Sequence, residues 1–327
     1  MKFIAETIKE RALGKNQWII EKQGDLLLVF SPLLKKYPNF VHAFTTRQGG
    51  HSRPPFHSFN IGVNQTTDES VRQDARNNRE LLCSTLNIPF VQLKTAKQLV
   101  HSTKVVMLET VGQPDEVDGI VTKKTSSPVY MTFADCVPVI IYDPVKHVLC
   151  LIHAGWRGTA SGISKEAVRF MTAELGSDTN DLVCAVGPAI GSCCYPVGIG
   201  AVEKLIYSLI EEKQLKNTSG KIESWKAEDY WENWSSLKSE QLADITNKFW
   251  LLIESLNLEG FFTRGTKQIH VDLKAINASQ IMFCGVEQVD VTDLCTACKE
   301  DLFYSYRRSF INSEGPTGRQ AAIACLL

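Results

Sequence analysis

VYMTFADCVPVIIYDPVKHVLCLIHAGWRGT, residues 129–159, decides the fold. It holds three short apolar runs, 129–134, 137–142 and 147–153, broken only at Asp135-Cys136 and around Asp143-Pro144. The runs are β-rich and apolar on both faces, as strands of a covered sheet are. Working towards the C-terminus, Gly155 and Gly158 follow the third run, and Ile163, Ala167, Phe170, Met171 and Leu175 predict a helix over 162–175, closed by Gly176. A strand at 181–187, a helix near 198–213 and a helix at 236–256 come next. Asp272 is read as the cap of a helix reaching about residue 283, stopped by Gly285, with strands at 286–292, 302–308 and 319–326. Towards the N-terminus, 17–33 and 40–46 read as strands and 98–109 as another. Between them, Val71, Ala75, Leu82 and Leu86 stripe a helix over 68–87 that Asp68 caps. Strands and helices mix without strict βαβ alternation, so the expected class is α+β.

Composition sets broad limits. Of 327 residues, 44% are apolar and 22% charged, which suits a chain with a substantial core. A net charge of -1 gives no reason to expect a nucleic-acid partner. Glu6, Lys9, Glu10 and Arg11 interrupt the first residues, so no signal-peptide core is expected. The apolar runs are too short to span a bilayer. A cytoplasmic enzyme without a membrane partner is the expectation. The ten cysteines then read as reduced thiols, several inside apolar runs. Cys295-x-x-Cys298 has no second pair at ribbon spacing, and vicinal Cys193-Cys194 is a poor chelate, so both pairs are read as structural.

Cys136 follows one strand, His153 ends another, and His101 lies near the start of a third. Two imidazoles and a thiolate form a three-ligand set suited to catalytic zinc, with one position open. Spacing alone is equally compatible with a core thiol and core histidines. Context favours function: Asp135, His153, Trp156 and Arg157 cluster at strand ends and are costly to bury idly. Arg47, in Thr45-Thr46-Arg47-Gln48-Gly49-Gly50, either forks onto an anion or sits on the surface beside a turn. Tyr304-Ser305-Tyr306-Arg307-Arg308 and Thr317-Gly318-Arg319 add further cations and aromatics.

The segments TTRQGG (45–50), ADCVPV (134–139), HAGWRGT (153–159), GPAIGSCCY (187–195), CTAC (295–298), YSYRR (304–308) and TGRQAA (317–322) together resemble the YfiH-like family, often labelled polyphenol oxidase or laccase domain. The resemblance runs from about residue 40 to the end. It implies one α+β domain over 1–327, with N-terminal strands in 1–39 and a family-atypical insertion at 214–268. It also implies one Zn2+ per chain on His101, Cys136 and His153. The implied activity is phosphorolysis of adenosine, inosine, guanosine and methylthioadenosine, with deamination of adenosine. Leu99, Ser102 and Pro196 depart from the family pattern, where Gln, Gly and Glu are usual.

On this reading purine nucleosides and inorganic phosphate are the partners, Arg47 binds phosphate, and Asp135 shuttles a proton or orients a ligand. A metal-free cysteine hydrolase, with Cys136 as nucleophile and His101 or His153 as base, uses the same residues. Copper and laccase chemistry are disfavoured. Seven histidines, with no His-x-His pair, are too few and too scattered for four coppers.

Overall fold

The three apolar runs around Cys136 become strands on two different sheets. The computed structural model describes residues 17–63, 67–98, 103–108, 116–209, 239–265, 268–313 and 315–327. In chain order the strands are β1 (Ile19–Gln23), β2 (Leu26–Phe30), β3 (Phe40–Thr45), β4 (Val105–Met107), β5 (Gly119–Thr122), β6 (Val129–Phe133), β7 (Val137–Asp143), β8 (Val148–Ala154), β9 (Val183–Val186), β10 (Pro196–Val197), β11 (Phe262–Arg264), β12 (Ile269–Val271), β13 (Gln288–Val291) and β14 (Gln320–Leu326). The helices are α1 (Glu69–Thr85), α2 (Trp156–Ala160), α3 (Ile163–Arg169), α4 (Ile199–Leu209), α5 (Ser239–Ser255), α6 (Leu273–Phe283) and α7 (Tyr306–Ile311).

One sheet has the order β1-β2-β3-β14-β6 and is antiparallel throughout. The other has the order β13-β9-β7-β8-β5-β4, antiparallel in the middle and parallel at both edges. A small third sheet joins β10, β12 and β11. The two large sheets face each other. Phe44, Met131 and Phe133 from one pack with Ile140, Leu149, Leu151, Val183 and Ala185 from the other.

Alternate residues of the second sheet point the other way. Val139, Ile141, Cys150, Ile152 and Cys184 pack with Ala167, Leu205 and Ile276 of α3, α4 and α6. Leu82 and Cys83 of α1 cover the outer face of the first sheet over Leu28, Ala43 and Ile323. Helix, sheet, sheet and helix therefore form four layers, and the class is α+β as the sequence implies. Burial on both faces explains why β7 and β8 read as unbroken apolar runs. Cys83, Cys150, Cys184 and Cys325 are buried in these layers, where a thiol acts as a small hydrophobe.

Several boundaries change. The stretch 17–33 is a hairpin of two strands, with Gly24 at φ 57° in its turn. The expected strand at 98–109 is found only over Val105–Met107, and 99–102 and 109 lie outside the described residues. The helix expected over 162–175 divides. Trp156–Ala160 and Ile163–Arg169 are separate, with Gly162 at φ 81° between them, and Phe170–Glu174 continues as a wider π turn. The strand expected over 302–308 is wrong. Ser305 caps α7 by accepting a hydrogen bond from Arg308 N, so a capping hydroxyl overrides the β propensity of the flanking tyrosines. The polar stretch 214–234 lies outside the described residues. Among the described residues no helix is long and apolar enough to cross a membrane.

Candidate active site

Strand register brings the chemistry-bearing residues to one end of the two-sheet stack. β7 and β8 pair with Pro138 opposite His153, so Cys136, just before β7, lies beside the end of β8. β5 pairs with β8 through Gly119 and Ile152, which sets Asp118 next to His153. The His153 amide donates to the Asp118 carbonyl at 2.7 Å. The His153 imidazole meets the Asp118 carboxylate at 3.0 Å from Nδ1 to Oδ1. His153 is 4% exposed and Asp118 1%.

With Nδ1 occupied, Nε2 is the nitrogen left for Cys136, to which the ring also hydrogen-bonds. Burial opposes charging His153, but Cys136 and the Asp118 carboxylate outweigh it and raise the imidazole to about 9. A histidine oriented by a carboxylate and set beside a thiol is the arrangement found at metal centres and at cysteine nucleophiles. His101, the third expected ligand, lies outside the described residues.

Asp135, 8% exposed, has φ 86° and spends both carboxylate oxygens inside the protein. Oδ1 accepts from Thr296 Oγ1 at 2.7 Å, and Oδ2 accepts from Ser305 Oγ at 3.0 Å and Arg307 N at 2.7 Å. Its carbonyl accepts from Ile190 N. Three distant loops are thus fastened to the residue before Cys136. Arg47 is similarly engaged. Its guanidinium donates to the carbonyls of Glu300 and His57 and lies 4.8 Å from the Tyr304 ring centroid.

Other cations surround Asp135 and Tyr195. Arg319 is half-buried, donates from Nη1 to the carbonyls of Thr317 and Gly318, and interacts electrostatically with Cys136 and Asp135. Arg157 is exposed and lies 4.5 Å from the centroid of Trp156. Tyr195 sits among Cys136, Arg307, Asp135 and Arg157; burial first, and then the charge of Cys136, push its phenol well up. Arg307 packs over that ring at 5.2 Å and donates to the Pro196 carbonyl. Pro196 opens the edge strand β10, a place where a missing N–H costs little.

No individual role is readable in the sequence for Asp118, Tyr195, Thr296 or Ser305. Asp118 had one usable signal, an acid placed directly before the apolar run of β5.

A second cluster overturns one expectation. The sulfurs of Cys193, Cys194, Cys295 and Cys298 all lie within 4.8 Å of one another. The pairs read as separate meet because the Gly191–Cys194 turn packs against the 295–298 turn, with Thr296 N donating to Ala189 O. Among the described residues this is the one group of three or more His, Cys, Asp or Glu side chains gathered tightly enough to hold an ion. The described histidines do not cluster: His42 is buried against Phe30 and Phe40, and His270 bonds the Ser192 carbonyl.

Comparison with known proteins finds relatives along most of the chain. A purine nucleoside phosphorylase from Geobacillus stearothermophilus is 30% identical over 297 residues, covering 86% of this chain and 88% of that protein. The Bacillus subtilis protein of the same name is 29% identical over 297 residues. A mouse purine nucleoside phosphorylase is 35% identical, over 53% of this chain and 39% of its own length. Among solved structures, the Bacillus licheniformis hypothetical protein YfiH aligns with a TM-score of 0.72 and 26% identity, over 95% of this chain and 99% of that one. The YlmD structure from Geobacillus stearothermophilus aligns with a TM-score of 0.71. Residues 41–247 and 240–327 match the family model described as multi-copper polyphenol oxidoreductase laccase, and the chain belongs to that family.

Proposed function

We propose that the chain is a zinc-dependent purine nucleoside phosphorylase whose site is built on His101, Cys136 and His153. The observation that carries this reading is His153 held by Asp118 beside Cys136, in a chain whose relatives along most of its length bear that name. The donor set fits zinc. One imidazole nitrogen is tied to a carboxylate, and the other, turned to Cys136, would bind a metal together with that sulfur. His101 would complete the set. When bound, such an ion supplies Lewis acidity. Copper in laccase numbers finds no support in the scattered histidines.

In phosphorolysis a phosphate oxygen bonds to C1′ as the C1′–N9 bond breaks. The purine leaves with the electron pair and takes up a proton. The chain must hold an anion next to the sugar and receive the base. Arg157 is exposed and interacts with Tyr195, so it is assigned to phosphate; Arg319, whose Nη1 braces the Thr317 and Gly318 carbonyls, is assigned to hold positive charge beside Cys136. Tyr195 keeps its proton and is assigned to hydrogen-bond the departing base. Asp135 and Arg47 are assigned as positioning residues, because their polar atoms already brace loops. The substrates proposed are adenosine, inosine, guanosine and methylthioadenosine, with water replacing the amino group of adenosine as a second reaction.

One observation favours a second reading. Cys136, His153 and Asp118 also form the order thiol, imidazole, carboxylate of a metal-free cysteine hydrolase.

A nucleoside panel with and without phosphate, run beside metal analysis, separates the readings. Free base should appear only with phosphate, in step with ribose 1-phosphate, and adenosine should also release ammonia. A polyphenol should cause no oxygen uptake. Base release indifferent to phosphate, or full activity in metal-free protein, sinks the proposal.

A further inference from the structure

The four-cysteine cluster lies apart from the His153 pair, and the nucleoside reading leaves it unused. We infer that Cys193, Cys194, Cys295 and Cys298 hold a second metal ion, a zinc in a closed four-thiolate site that clamps the 187–195 loop to the 294–298 loop.

Size is the first argument. A zinc–sulfur bond of about 2.3 Å sets the edge of a tetrahedron at about 3.8 Å. Cys298 Sγ lies 3.4 Å from Cys193 Sγ and 3.3 Å from Cys194 Sγ, and no pair in the group exceeds 4.8 Å. The four sulfurs bracket the cage of a single ion. Cys298 stands nearly equidistant from two thiols. A disulfide would select one partner, at about 2.0 Å, and leave the other aside.

Hydrogen bonding is the second argument. Cys295 Sγ accepts from the Gly191 amide at 3.1 Å and from the amides of Ala297 and Cys298. Amides converging on one sulfur are the outer hydrogen bonds that orient a metal-bound sulfur. The Gly191 amide comes from the opposite loop, so the two loops share this contact as well as the sulfurs.

Charge is the third. A zinc ion with four thiolates carries two net negative charges. Lys274, 2% exposed, donates to the Leu294 carbonyl at 2.9 Å and interacts electrostatically with Asp272 first, then with Cys295, Asp293 and Cys193. Asp272 and Asp293 offset part of the charge of this buried ammonium, and a dianionic centre on the cysteines would add to that offset.

Four protein ligands leave no open position, so the site is structural. Its place in the fold gives it a task. Thr296, between two of the ligands, donates to Asp135, and Ile190, just upstream of the other two, donates to the Asp135 carbonyl. Tyr195 follows Cys194 directly. The ion would fix the loops that hold Asp135, Cys136 and Tyr195 in place.

The test is metal content in full-length protein purified under reducing conditions without chelator or added metal. The Cys295→Ser/Cys298→Ser variant should carry one zinc equivalent less per chain than wild type. His153→Ala should keep that equivalent, and its zinc X-ray absorption should show four sulfur ligands at about 2.3 Å. His153→Ala leaves the thiols untouched, so it serves where the double variant does not fold. Unchanged metal content in the double variant, nitrogen or oxygen ligands on the zinc kept by His153→Ala, iron in place of zinc, or a disulfide at Cys298 in the reduced preparation each overturns the assignment. Nucleoside turnover is not a readout, so the nucleoside reading can fail while this one stands.

Discussion

At the scale of single residues, the contact between Asp118 and His153 decides what the site can be. The carboxylate fixes which imidazole nitrogen faces Cys136 and holds the ring through a 3.0 Å bond. A partner of this kind usually contributes 10–100-fold to metal affinity. Asp118→Asn should therefore lower zinc affinity by about that factor while the protein stays folded, as read in competition with a chromogenic chelator. Undiminished affinity would show that His153 is not a ligand. Cys136 and His153 stand out in the sequence beside apolar runs, but spacing alone leaves core residues equally possible, and the family resemblance is what couples them. Asp118 does not stand out: an acid before a strand reads as a surface turn until strand pairing places it beside β8. Arg47 illustrates the reverse. Its motif suggested an anion site, yet its donors face main-chain carbonyls, a use that depends on the fold of residues some 250 positions away.

At the scale of elements, the loops leaving β6, β8, β9 and β13 converge because their strands end on one side of the stack. Gly187, directly after β9, is the tightest point. A Cβ there would stand 2.2 Å from Cε1 and 2.5 Å from Cδ1 of Phe44, a core ring of the opposite sheet. Overpacking of this kind costs about 1–3 kcal/mol. Gly187→Ala should lower the denaturant midpoint accordingly. Gly198→Ala, where a Cβ meets nothing within 4 Å, should leave it nearly unchanged and so serves as the comparison. Equal midpoints for the two variants would mean that the sheets do not meet closely at Phe44. The strands themselves were legible because burial on both faces leaves continuous apolar runs. The cysteine cluster was not. Its halves are about 100 residues apart, and no local periodicity records that two turns pack together. The misread segment at 302–308 failed for a related reason, since Ser305 was weighed as a strand residue rather than as a cap.

At the scale of the whole molecule, the two large sheets are joined by a polar bridge as well as by apolar packing. Asp290 of β13 accepts from Trp18 Nε1 and Ser31 Oγ, both from the other sheet's side. Next to this bridge, His42 of β3 is buried among Phe30, Phe40 and Phe44, and its Nε2 accepts from Ser31 N at 3.0 Å. Burial, with the charge of Lys35 adding to it, lowers His42 to about 3. The folded chain thus keeps this ring neutral where the unfolded chain protonates it. The sign follows: the stability tied to His42 is fully present above about pH 6.5, and it is lost as pH falls towards 3, because the unfolded state binds one more proton across that window. One proton corresponds to about 1.4 kcal/mol per pH unit at most. His42→Gln keeps an acceptor for Ser31 N but has no proton to gain. Denaturation at pH 7, 6, 5 and 4 should give the variant a shallower loss of stability with acid than wild type, by up to that slope. Parallel profiles would mean that His42 is already protonated, or is open to water, when the sheets are closed.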